Sequence, residues 1–277
     1  MRRALRSAFF RLFKTGLFIK SVIFAAIAGL IVANYMYSQI YAYYIFQRPR
    51  YIDNSFIIYC LYAFLYVIPF AIAVFCTMFT GTDISFRAIN NRITTGISRF
   101  NIYFADLLVS LLISLISCVI SLAAILAFVK IWAIRSDIRF DRYLISCFIK
   151  VIIACFAFTT LYIFFHFFCS NKFLALVISL LLIPCAMITT MLIGTELNEP
   201  YRYAVTYVNG ETAWEYNTHY VSGTKRRIYS AIYEASPYVD FYTEEPKDQS
   251  KEIEAAGIIF AASTAAGLVS MRKKEFP

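Results

Sequence analysis

Residues 82–106 read TDISFRAINNRITTGISRFNIYFAD, and they interrupt two long apolar runs with asparagines, threonines and three arginines, Arg87, Arg92 and Arg99. The run on one side, 55–79, carries no charged residue, and neither does the run on the other side, 107–129. Each is long enough for the ~20 residues that cross a hydrocarbon core as a helix. Pro69 lies inside the first, where it removes a backbone donor and favours a kink. The polar stretch is thus expected to connect two membrane spans on one side of a bilayer.

The whole composition agrees. The chain of 277 residues is 60% hydrophobic and only 16% charged, with 27 Phe and 21 Tyr, whereas soluble domains carry about 25% charge. Such an apolar load implies an integral membrane protein. Four further spans are expected near 17–37, 143–168, 173–194 and 255–271. The first of these follows a basic segment without a small-residue cleavage site, so it is expected to stay in the mature protein. Residues 2–16 have an amphipathic helical pattern, with Leu5, Phe9, Leu12 and Phe13 on one face and Arg3, Arg6 and Lys14 on another. That pattern suits a helix lying in the membrane interface.

The segment 195–254 differs from the rest. It holds eleven acidic and six basic residues, with a strand expected at RYAVTYV and a helix at RRIYSAIYEA. The last span carries two small-residue series, Gly257, Ala261 and Ala265, and Ser263 with Gly267, which let helices approach closely. Asp106 is expected at the start of its span, on the positive end of the helix dipole. Lys150 and His166 fall inside the fourth span, without partners identifiable from the sequence.

Charge counting sets an orientation. With the N-terminus inside, short inner segments carry 13 Lys and Arg against 6 in the short outer loops, so both termini and residues 80–100 are expected in the cytoplasm. The cations of 130–142 run against the rule. The net charge of +9 lies beside apolar spans and does not interleave with stacking aromatics, which argues against nucleic acid. All seven cysteines lie in apolar runs and no CxxC pair occurs, so no disulfide framework or metal site is expected. Phosphate-binding loop, zinc spacing, nucleophile elbow and paired-carboxylate motif are all missing from the sequence. No bound cofactor and no catalysis by this chain are expected.

The expected fold is therefore an all-α membrane protein with six transmembrane helices. An N-terminal amphipathic interfacial helix precedes them, and a small α+β extracytoplasmic insert separates helices 5 and 6. The three units are 1–194 (including the segment 80–100), 195–254 and 255–277.

The 82–106 stretch also resembles the coupling segment between the second and third helices of ABC-2-type transporter permeases. Asn91-Arg92, Gly96, Ser98-Arg99 and Ile102-Tyr103 match that pattern in order and spacing. Arg87-Ala88 replaces the family's Gly-Thr step, and Asn90 stands where a cation is frequent. The resemblance implies a multi-pass subunit of a bacterial plasma membrane. It would pair with a second permease subunit and dock a separate cytoplasmic ABC ATPase, which hydrolyses the ATP. Docking would fall to Asp83, Arg87, Ile89, Asn91, Arg92, Gly96, Ser98 and Arg99, with Gly96 ending the coupling helix in a left-handed conformation. Two other classes compete: a sensor or scaffold that binds a ligand through 195–254, and an intramembrane enzyme, for which Asp106, Lys150 and His166 are the scattered candidates.

Overall fold

The apolar runs form helices, each of which extends past its run at one end or both. A computed structural model describes residues 1–43, 51–52, 54–85, 88–132, 135–136, 138–169, 171–206, 212–238 and 250–273. Within these, α1 (Arg2–Lys14) precedes α2 (Leu17–Tyr43), and α3 (Asn54–Cys76) passes through a π-helical turn at Thr77–Gly81 into α4 (Thr82–Ser85). Then follow α5 (Ala88–Thr94), α6 (Arg99–Trp132), α7 (Arg142–Phe168) and α8 (Lys172–Asn198). Six helices are long and apolar enough to cross a membrane: α2, α3 with its continuation to Ile84, α6, α7, α8 and α10 (Ser250–Lys273).

Helix starts follow local capping chemistry. Asp141 accepts a hydrogen bond from the Leu144 amide at 2.8 Å, and Asn171 accepts one from the Phe173 amide at 2.8 Å. Ser98 does the same for α6, accepting from the Asn101 amide at 3.3 Å. That cap corrects one expectation. The helix begins at Arg99, so Asp106 lies two turns inside it and does not sit at its dipolar end. The polar turn before Leu107 is helical because Ile102, Tyr103 and Ala105 already pack inward.

Helix α7 lies at the centre, against α10, α3 and α6, while α2 packs on α6 and α3. In an apolar medium such contacts rest on close packing and interhelical hydrogen bonds. The Ser121 hydroxyl donates to the Ala25 carbonyl across α6 and α2 at 2.8 Å. Ser114 and Thr159 share a hydrogen bond at 2.6 Å between α6 and α7. Ser263 on α10 donates to Thr160 on α7 at 2.8 Å.

The two small-residue series of α10 therefore part company. Ser263 and Gly267 are buried, and a β-carbon at Gly267 would collide with the Tyr103 ring of α6. Gly257, Ala261 and Ala265 face outward.

The α8–α10 connection holds a hairpin, β3 (Arg202–Thr206) antiparallel to β4 (Thr212–Tyr216), followed by α9 (Gly223–Ala235). The strand at 202–206 and the helix were expected, and the partner TAWEY was not. At the same end, β1 (Tyr51–Ile52) pairs in parallel with β2 (Arg135–Ser136). Six of the seven cysteines are buried, and Cys185 is exposed on α8.

Candidate functional site

The segment 82–98 folds back on the helices that flank it. Helix α5 stops in a two-bond motif: the Ile97 amide donates to the Arg92 carbonyl at 3.2 Å and the Gly96 amide to the Ile93 carbonyl at 2.9 Å. The motif needs a left-handed residue, and Gly96 has φ +82°. The expected role of Gly96 is therefore met, and the turn aims Arg92 back at α6.

There Arg92 enters a buried cluster of four charges. Its Nη1 lies 3.2 Å from Asp83 Oδ2 and 3.4 Å from Asp106 Oδ1. Arg11 of α1 comes in from the opposite side, with Nη2 2.7 Å from Asp106 Oδ1 and Nη1 paired to Asp83. The Arg11 guanidinium also stacks over the Phe79 ring, 4.6 Å from its centroid. Asp106 is 0% exposed, and Asp83 and Arg92 are buried with it. Two arginines against two aspartates leave the cluster neutral, which is what permits its burial. Burial lowers the Arg11 pKa from its ordinary value, and the Asp106 carboxylate opposes that shift. Arginine nonetheless keeps its proton at physiological pH, so the cluster acts as an electrostatic clamp and not as a proton relay.

The clamp ties together α1, the π-helical turn, α4, α5 and α6. Helix α1 reaches it through Ala4, Ala8 and Leu12, which are buried, with Arg11 beside Leu12 on the same side. This corrects the expected apolar face: Leu5 and Phe9 are half-buried against the core, whereas Phe13 is exposed along with Phe10.

The sequence-derived docking residues thus separate. Asp83, Ile89 and Arg92 point inward, and Arg92 is not available to an external acidic group. Asn91, Gly96 and Ser98 are exposed, together with Thr94 and Thr95. Arg99 donates from Nη1 to the Arg272 carbonyl at 3.2 Å, capping the C-terminal end of α10. Arg87 lies outside the described residues.

Beside the clamp, His166 of α7 meets the π-helical turn. Its Nδ1 donates to the Tyr162 carbonyl at 2.7 Å, since a carbonyl oxygen can only accept, and its Nε2 lies 2.8 Å from Thr77 Oγ1. This locks the ring as a structural link between α3 and α7.

Far from it, Lys150 of α7 pairs with Glu252 of α10, at 2% and 6% exposure. The lysine Nζ also lies 5.0 Å from the Tyr62 ring centroid. Sequence reading assigned Glu252 to the polar insert, because the run without charges begins only at Ala255; the helix starts at Ser250 and carries the acid inside. Among the described residues, no three His, Cys, Asp or Glu side chains gather as a metal site. No family model, curated protein or solved structure matches the chain.

Proposed function

We propose that this chain is the permease subunit of an ATP-driven ABC exporter, with the 82–98 segment docking a separate cytoplasmic ATPase. One observation carries the reading. A short helix and the turn after it, exposed along Asn91, Thr94 and Thr95, are clamped through Arg92 to Asp83, at the end of one long apolar helix, and to Asp106, two turns inside another. Force applied to the exposed face passes through the ion cluster into α4 and α6. In this reading both termini and the clamp are cytoplasmic, the 195–254 insert is extracytoplasmic, and two copies or two related subunits assemble. Helix α1 lies in the interface: its Phe10 and Phe13 side chains are exposed on a helix that carries Arg2, Arg3, Arg6 and Lys14.

The resemblance in the 82–106 motif suggests the partner, and the exposure of Asn91, Thr94 and Thr95 supports a contact there. The chain purified from its native membrane should carry an ATPase whose hydrolysis it stimulates. Asn91→Glu with Thr94→Glu should abolish the stimulation while leaving the melting temperature of the chain unchanged. Purified material without ATPase activity, or undiminished stimulation in that variant, overturns the proposal. For the orientation, a cysteine at Thr218 should react with an impermeant thiol reagent on intact cells, and one at Asn91 only after permeabilisation.

A further inference from the structure

A cavity of about 320 Å3 lies between α2, α3 and α6. It sits towards the end of the bundle where α2 begins and α3 ends, the end that carries α1. Its lining is almost wholly apolar: Leu17 and Phe24 come from α2, Ile68, Ala71 and Phe75 from α3, and the buried Ile113 from α6. It opens sideways between α2 and α3. There Lys20 and Phe24 on one helix, and Phe70, Val74 and Met78 on the other, line the cavity and are themselves exposed.

The dimensions are those of one lipid tail. The α3 lining runs from Ile68 to Met78, about 15 Å of helix. That is half of a ~30 Å hydrocarbon core, the depth of a single leaflet. A volume of about 320 Å3 over that depth leaves a cross-section of roughly 20 Å2. One acyl chain whose carbons touch their neighbours at about 4 Å fits such a slot, and two do not.

The charge at the mouth selects the head group. Lys20 stands in the first turn of α2, where its stem can carry the ammonium group to the head-group layer. That ammonium group has no ion-pair or hydrogen-bond partner among the described residues. The only acidic side chains in α2–α6 are Asp83 and Asp106, and both are held in the quartet of charges with Arg11 and Arg92. An anionic phospholipid brings the missing negative charge. A zwitterionic one brings a second cation with its phosphate and gains less.

We propose that the α2–α3–α6 slot binds an anionic phospholipid, with its phosphate at Lys20 and one acyl chain along Ala71 and Phe75. The second chain stays in the bilayer. This goes beyond the exporter reading and does not depend on it, because binding needs no ATPase.

The test uses the purified full-length chain in phosphatidylcholine nanodiscs, with trace phosphatidylglycerol carrying a diazirine in one acyl chain. Photolabelling should be saturable and map by mass spectrometry to the slot faces of α2 and α3. A phosphatidylcholine probe with the same chain should label those faces about fivefold more weakly, the factor that one lysine near a charged surface supplies. The exposed Arg2, Arg3, Arg6 and Lys14 of α1 also attract anionic lipid, so the decisive variant is Lys20→Met. It should make the two probes equivalent at the slot and leave phosphatidylcholine labelling there unchanged. Ala71→Phe, which fills the slot and leaves the lysine, should abolish slot labelling by both probes, and circular dichroism reports whether that variant folds. Equal labelling of the wild type by the two head groups overturns the proposal. So does a preference for phosphatidylglycerol that survives Lys20→Met, or labelling that maps away from the slot. If Ala71→Phe does not fold, the comparison of the wild type with Lys20→Met decides.

Discussion

Among the described residues, charged side chains are buried together in two places, and the two are built differently. At the α1 end, four charges drawn from α1, α4, α5 and α6 close on one another around Asp106. Elsewhere, Lys150 and Glu252 pair between α7 and α10, beside a cavity. The first is dominated by arginine, which has no neutral form at physiological pH. The second consists of groups that can each exchange a proton. A quartet that loses an aspartate is therefore left with an excess charge that cannot be discharged, whereas a pair that loses its lysine can neutralise the surviving carboxylate. The quartet suits a rigid joint.

The largest effect should come from Asp106→Asn. It leaves Arg11 and Arg92 sharing Asp83 alone, and removal of one partner from a buried ion pair costs about 3–5 kcal/mol. Equilibrium unfolding in mixed micelles checks it. A cost equal to that of Lys150→Met would erase the distinction between the two clusters. Lys150→Met itself should cost roughly 2 kcal/mol, because Glu252 can take up a proton. Adding Glu252→Leu should restore stability to within about 1 kcal/mol of the wild type. A double variant no more stable than Lys150→Met would mean that the pair holds α7 and α10 together in its own right.

A smaller effect separates the two small-residue series of α10. Gly267→Ala should cost about 1–3 kcal/mol, because the new methyl group meets the Tyr103 ring. Gly257→Ala, with nothing within 4 Å, should stay within about 0.5 kcal/mol. Equal costs would show that the spacing itself, and not the contact, governs packing here.

The helical frame was legible because hydropathy alone sets it: six runs long enough to cross a bilayer became six helices. Gly96 was legible too, because the left-handed end of a helix selects glycine. The ion cluster was not. Arg92 and Asp83 read as surface groups, since most charges beside a membrane span are solvated. A signal was nonetheless present. Asp53, Asp83 and Asp106 are the only acidic residues before position 137, and two of them bracket the segment that contains Arg92. Arg11 follows Ala4 and Ala8 at seven and three residues, a helical spacing that puts a cation on the packing side of α1. What the sequence could not supply was the fold of α1 onto α6, a contact between segments 95 residues apart. Glu252 was missed for a different reason: its neighbours Lys251 and Glu254 are polar, so the turn read as part of the insert. Only the packing of α10 on α7 distinguishes the acid that faces inward from those that do not.

A further small stability effect is the most informative about how the quartet is assembled. Gly96→Ala adds a methyl group that touches nothing within 4 Å, so its cost is purely that of the left-handed backbone, about 1 kcal/mol. If the turn at Gly96 is what delivers Arg92 to Asp106, a strained or reopened turn already weakens the Arg92 contacts. The loss of Asp106 should then matter less in its presence. The double variant Gly96→Ala with Asp106→Asn should cost less than the two single costs added together, by at least ~0.5 kcal/mol, the margin beyond which distant sites no longer count as independent. Additive costs would mean that Arg92 is held by α5 itself, and that the turn only ends the helix. In that case the link from α5 to α6 runs through Arg92 alone and does not depend on the turn that follows it.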